Sequence, residues 1–200
     1  MEADPLSLPA SLAAIPSAPA AAADAPGAHA LRRAQAGEAD AFRELVRAHQ
    51  ASVYSLALRL LGVHEDAQEL AQDVFLLLHR HLRGIVSASH LRFWLRRTVC
   101  HRAIDRLRRR PRMADLPLDA AAQLQAPEQD ADPLVDRRLR ELLTRLPPMP
   151  RAVLLLRYQE DLDPAEIARA LGLPVNTVKS HLRRSLALLR GRSPEVDARD

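Results

Sequence analysis

Three groups of side chains in this chain have the types and spacing to do chemistry. Between Arg92 and Arg110 stand Arg92, Arg96, Arg97, Arg102, Arg106, Arg108, Arg109 and Arg110, with Asp105 the one acid among them. A helix needs only a mixed polar side for solubility, so near-exclusive arginine points to phosphate contact. Phe93 and Trp94 open this stretch beside a short loop with Ser87, Ser89 and His90. Rings amid cations can be stacking platforms for unpaired bases, or they can simply be core, and the sequence leaves both readings open for each ring. The second group is Asn176, Thr177, Lys179, Ser180, Arg183 and Arg184, polar and basic residues at the start of a helix. Placed in a major groove, such residues read base edges or hold phosphates. The third group has the opposite charge. Glu65, Asp66, Glu69 and Asp73 crowd the first half of another helix together with Gln72. The first two complement a helix dipole, but Glu69 and Asp73 recur at a spacing of four and form an acidic ridge. Such a ridge repels DNA and suits a basic protein partner.

Elements that position these groups follow from apolar periodicity. Asp163, Pro164 and Glu166 make a capping box with a proline starter, Gly172 stops that helix, and Pro174 restarts one. Val178, Leu182, Leu186 and Leu189 then supply the buried stripe of a second helix, which makes a helix-turn-helix over Asp163 to Arg190. Further helices are expected from about Glu38 to Leu61 ending at Gly62, from about Glu65 to Leu82 closed by Gly84, and from about His90 to Arg110 capped by Ser89 and stopped by Pro111. Two more are expected, from Asp132 and Pro133 to Leu146 and from Pro150 to Tyr158.

Scarce glycine, few β-branched residues and abundant Leu and Ala fit an all-α fold in a chain of 200 residues. The expected plan is a disordered Ala/Pro-rich arm at 1–28, a helical domain at 29–112, a flexible linker at 113–132, a small helix-turn-helix domain at 133–190 and a disordered tail at 191–200. The net charge is only +4, but the arginines gather in two separated patches, which implies polyanion contact at two places. Cys100 is the single cysteine, so no disulfide or cysteine-based zinc site can form within the chain, and a reducing cytosol is the simple reading. Cys100 itself reads as a small core residue rather than a redox switch. His79 and His81 are two apart and share no helical face, while His49 and His64 lie on separate elements, so no metal centre is expected. No coherent acid–base, nucleophile or metal set is found, and neither an enzyme nor a cofactor is expected. The N-terminus is acidic and its Ala-rich run is broken by Pro5, Pro9, Pro16 and Pro19, which argues against a signal peptide or membrane span.

Two basic elements and an acidic ridge, in this order on two domains, resemble the compact, extracytoplasmic-function group of bacterial sigma-70 family sigma factors. HEDAQELAQDVFLLLHRHL is similar to the family's polymerase-binding helix, usually written D-A-E-D-L-V-Q-E-V-F, with Asp66, Glu69, Gln72, Asp73 and Phe75 matching. FWLRRTVCHRAIDRLRRR resembles the promoter-melting helix through Trp94, Leu95, Arg97 and the run from Ala103 to Leu107. Leu146 to Leu189 resembles the C-terminal domain, with its LP turn, VLLLRY helix and TVKS block. The resemblance implies a sigma region 2 bundle and a sigma region 4 helix-turn-helix. It implies a cytoplasmic protein that binds core RNA polymerase and directs promoter-specific initiation, a monomer when bound to polymerase, with an anti-sigma protein as a further partner. Asp66, Glu69, Gln72 and Asp73 would dock polymerase. Ser89, His90, Arg92, Phe93, Trp94, Arg97, His101 and Arg102 would take and melt the minus-ten element. Asn176, Thr177, Lys179, Ser180, Arg183 and Arg184 would read the minus-thirty-five element. Cys100 and His101 stand where the family commonly has Arg and Asn, Pro150 where a polar residue is usual, and His181 and Leu186 where arginines are common. These departures bear on promoter sequence more than on activity. The rival expectation is a stand-alone helix-turn-helix regulator, which would account for the C-terminal motif alone.

Overall fold

The computed structural model describes residues 25–109, 139 and 141–190; the expected linker and tail, and most of the arm, lie outside them. Among the described residues seven α-helices follow in chain order: α1 Ala25–Gln35, α2 Ala39–Leu61, α3 His64–His81, α4 Ala88–Arg109, α5 Pro148–Tyr158, α6 Pro164–Leu171 and α7 Val175–Arg190. A 3-10 turn, Leu82–Gly84, follows α3, and residues 141–144 are helical ahead of α5. No strand occurs among the described residues.

Local signals account for most boundaries. Gly62 ends α2 in the left-handed region, φ 78°, and donates its N–H to the Leu58 carbonyl. Glu38 is not helical; it is the extended residue before α2, and its carboxylate pairs with Arg33 at 2.8 Å. The start of α1 corrects the expected arm, because residues 25–28 already belong to the helix. The cap of α4 is also corrected. His90 donates its N–H to Ser87 Oγ at 3.0 Å, so Ser87, not Ser89, closes that terminus, and α4 begins at Ala88. The physical reason is register: a cap accepts from the third helical residue, and the third residue from Ala88 is His90.

α2, α3 and α4 pack as a bundle with α1 against it, chiefly on α2, and α5, α6 and α7 form a second unit. Leu45, Leu56 and Leu60 of α2 and Leu70, Leu77 and Leu78 of α3 belong to one core and are all essentially removed from solvent. Each such leucine contributes roughly 1.5–3 kcal/mol. The two units do not stand apart. α4 packs on both α5 and α6, α2 reaches α5, and buried residues of both units make one continuous core. The expectation of two domains is met, but no residue pattern foreshadows the interface they share.

Candidate polymerase and nucleic-acid interfaces

The helix-turn-helix is built by its own short-range bonds. Asp163 Oδ1 accepts from the Ala165 and Glu166 N–H groups at 2.7 and 2.8 Å, and Glu166 Oε2 accepts from the Asp163 N–H at 2.9 Å. The capping box is therefore complete, with Pro164 as the first helical residue. Gly172 turns the chain at φ 66°, and the Thr177 and Val178 N–H groups return to the Pro174 carbonyl to start α7. Val178 and Ser185 are buried, and Leu182 and Leu189 pack partly against the core. On the other side of α7, Asn176, Lys179, Arg183 and Arg184 are exposed, while Thr177 and Ser180 are half-buried. This polar, cationic face is the one expected from the sequence.

α3 presents Glu69 and Gln72 to solvent, with Asp66 and Asp73 half-buried. The ridge is not a bare run of charge. Arg106 of α4 reaches across to Asp73 at 2.5 Å and to Glu69 at 3.4 Å, and it also donates to the Asp66 carbonyl. One arginine expected on the phosphate-facing helix is thus held by the acidic helix.

α4 departs furthest from its expected role. Trp94 is only 4% exposed, so of its two readings the core one holds in this arrangement, with its ring 6.3 Å from that of His81. Phe93 packs partly on the core. Arg97 is buried and donates to the Arg169 carbonyl at 2.9 Å; His101 Nε2 donates to the Ala170 carbonyl at 3.0 Å. Arg96 meets Glu160 at 2.5 Å. Arg92 and Arg102 are half-buried. Arg97 and His101, expected to face a melted strand, instead face the end of α6. The reason is electrostatic. The last carbonyls of a helix lack intrahelical donors and carry the negative end of the dipole, so they attract the same cations that phosphate would. Burial lowers the pKa of Arg97, and burial outweighs the Ala170 hydrogen bond in lowering that of His101.

The loop before α4 is held firmly. Gln35 of α1 donates to the Leu82 and Ile85 carbonyls at 3.0 and 2.7 Å. His90 Nδ1 accepts the Val86 N–H at 3.1 Å, which leaves the ring proton on Nε2, and burial keeps its pKa low. Ser87 and Ser89 hydroxyls share a hydrogen bond at 3.0 Å. Sequence reasoning missed Gln35, because α1 carries only a weak signal, and missed Glu160 and Arg151, which bond to Arg96 and to the Leu60 carbonyl far away in the chain. Charge complementarity between α3 and α4 could have revealed Arg106. Among the described residues no group of three or more His, Cys, Asp or Glu could hold a metal ion, and no helix is long and apolar enough to cross a membrane.

Comparison with known proteins gives these units a class. Residues 45–113 match the family model for Sigma-70 region 2, and residues 136–189 match that for Sigma-70, region 4. RNA polymerase sigma-E factor of Streptomyces avermitilis is 34% identical, covering 82% of this chain and 89% of that protein. ECF RNA polymerase sigma factor SigM of Mycobacterium tuberculosis is 32% identical over 77% of this chain and 78% of its own length. The fold is similar to that of CnrH, solved in complex with the cytosolic domain of CnrY, with a TM-score of 0.61, 23% identity, and coverage of 82% of this chain and 95% of that one. The chain belongs to the extracytoplasmic-function group of the sigma-70 family, RNA polymerase sigma factors that direct transcription initiation at promoters. A stand-alone helix-turn-helix regulator is not favoured, because the match extends over both units.

Proposed function

We propose that the surfaces divide the work of initiation as follows. Asp66, Glu69, Gln72 and Asp73 on α3 dock a basic surface of core RNA polymerase, and Asn176, Thr177, Lys179, Ser180, Arg183 and Arg184 on α7 enter the major groove of the minus-thirty-five element. Ser89, His90, Arg92, Phe93, Trp94, Arg97, His101 and Arg102 take the minus-ten element and hold its non-template strand unpaired, with the loop from Gly84 to His90 as wall for an extruded base. The chain performs no reaction of its own; RNA synthesis is the polymerase's. It works in the cytoplasm as a monomer on polymerase, with an anti-sigma protein as its antagonist. The observation that carries the reading is the opposition of an exposed acidic face on α3 to an exposed cationic face on α7, each on its own matched unit.

Run-off transcription with purified core polymerase and a genomic fragment pool tests it. Promoter-specific transcript above core alone is expected. Glu69→Lys with Gln72→Lys makes the exposed part of the ridge basic and keeps Asp73, the nearer of Arg106's two carboxylate partners, in place. Core affinity should fall on the order of tenfold or more, since like charges across an interface cost several kcal/mol. Unchanged core binding by this pair would remove α3 as the docking surface.

A further inference from the structure

The loop before α4 is tied to α1 through Gln35. This is the last residue of α1, and the chain turns directly after it. Gly37 takes φ 97°, its N–H returns to the Ala34 carbonyl at 3.0 Å, and Arg33 pairs with Glu38 across the turn at 2.8 Å. Ala30, Leu31 and Ala34 anchor the helix in the core. From this fixed end the Gln35 amide donates to the Leu82 and Ile85 carbonyls, 47 and 50 positions away. Both partners only accept, so the amide nitrogen and not its oxygen faces them, and both of its protons are used. The Leu82 carbonyl also takes the Ile85 N–H at 3.1 Å. The Ile85 bond has the wider reach. A peptide group is planar, so holding its C=O also sets the direction of its N–H. The N–H of that same peptide belongs to Val86 and goes to His90 Nδ1 at 3.1 Å. One peptide is therefore gripped from both sides, by Gln35 and by His90. Val86 stands on it 70% exposed, the most exposed large apolar side chain among the described residues, between buried Ile85 and buried Ala88.

We propose that Gln35 is a positioning residue for base selection: through the Ile85–Val86 peptide it holds Val86 and His90 in one arrangement, with Val86 as an apolar wall against the face of an extruded minus-ten base. Base selection rests on the reading of the Gly84–His90 loop as that wall; the coupling of Gln35 to His90 does not. Gln35 acts through the loop and touches no base. A wall that can retreat accepts any base of similar size, whereas one held at both ends of a peptide rejects the base that does not fit. Glutamine suits the task because it brings two donors to two carbonyls. An isosteric glutamate would set its oxygens against those carbonyls and let the peptide turn away. α1 lies ahead of residues 45–113, the part matched to Sigma-70 region 2, so minus-ten preference would depend on a helix outside the matched unit.

Core polymerase loaded with the full chain is compared among wild type, Gln35→Glu, Gln35→Ala and Glu38→Gln, which discharges the Arg33 pair in the same turn and leaves the Gln35 amide in place. The templates are a promoter recovered from the genomic pool and its single-base variants at the minus-ten and minus-thirty-five elements. Run-off from each gives a ratio of preferred to disfavoured base at every position. In Gln35→Glu the ratio should fall on the order of fivefold at one minus-ten position, the equivalent of about one lost hydrogen bond, with the minus-thirty-five ratios and core affinity unchanged. Gln35→Ala, the variant for the case in which Gln35→Glu fails to fold, should lower the same ratio, and Glu38→Gln should not. A long-range nitrogen–proton correlation spectrum of the free chain at neutral pH reads the coupling without DNA. Burial keeps the His90 ring neutral there, so wild type should show Nδ1 bare and Nε2 protonated, and Gln35→Glu should move both nitrogens toward the average of the two tautomers. An equal loss of run-off from every template, or the same ratio change in Glu38→Gln, would make Gln35 merely structural and overturn its role in selection. His90 resonances unmoved in both Gln35 variants would overturn the coupling. If Val86→Ala with His90→Ala changes no minus-ten ratio, the loop is not the wall, and the functional reading falls while the His90 spectrum still decides the coupling. If that pair changes a ratio and the Gln35 variants do not, the wall stands and Gln35 does not position it.

Discussion

Arg151 carries the largest single stake in how the two units hold together. Its guanidinium donates to the carbonyls of Leu60, Thr144 at 2.6 Å and Leu146 at 2.9 Å, while its Nε is buried without an acceptor among the described residues. Burial lowers its pKa from the ordinary guanidinium value to about 10. That gap corresponds to a burial cost of roughly 3 kcal/mol. Three hydrogen bonds from a charged donor return roughly 5–9 kcal/mol. The side chain is therefore net favourable, and Arg151→Ala removes the bonds while also opening a cavity under α5. Water reaches part of the vacated space, so the expected loss is about 3 kcal/mol, a large share of the stability of a domain this size. Urea unfolding followed by far-UV circular dichroism measures it. The structure further predicts that the variant's unfolding broadens or splits, because the Leu60 bond joins α2 of the first unit to α5 of the second. A midpoint shift worth less than about 0.5 kcal/mol, with an unchanged slope, would show that Arg151 is not a buried three-way donor.

Two further outcomes follow from local geometry and from titration. Asp163→Ala removes the acceptor for two N–H groups while keeping the main-chain N–H that Glu166 accepts, so it should cost about 1–2 kcal/mol in thermal or urea unfolding, while Asp163→Asn should cost much less. The folded pKa of His101, and of His90, lies below the usual 6.5 because burial disfavours the charged ring, so the unfolded chain binds protons first as pH falls. Their stability contribution is complete above about pH 6.5 and is lost as pH falls from there through the lower folded values. Thermal unfolding near pH 7.5 and near pH 5.5 should show a lower Tm at the acidic value, and His101→Gln should reduce the difference.

The helix-turn-helix was legible because its determinants are local. A capping box acts over three residues, and Gly172 and Gly62 adopt the positive φ that such helix ends favour. The exposed faces of α7 and α3 were legible for the same reason: helical periodicity assigns sides once a helix is known. What could not be read lay in pairings between residues far apart in the chain. Arg97 and Arg169 are separated by 72 positions, and nothing in either segment announces the other. An arginine-rich helix looks alike whether its acceptors are phosphates, carboxylates or helix-end carbonyls, and here Arg106 takes carboxylates while Arg97 takes a carbonyl. Trp94 illustrates a further ambiguity, since a ring that is core in one arrangement can be uncovered in another.

The same ambiguity has a mechanistic edge. A guanidinium bonded to a carbonyl is charge-assisted on one side; bonded to phosphate it is charge-assisted on both, and such bonds are shorter and stronger. In a direct exchange DNA would therefore win Arg97 from the Arg169 carbonyl. The exchange is not direct, because α6 covers the donor and its removal also uncaps α2 at Leu60 and breaks Arg96–Glu160. Free DNA would have to offset all of those losses at once. A polymerase that binds α3 through its acidic face and holds the second unit at a distance would offset them with its own contacts before DNA arrives.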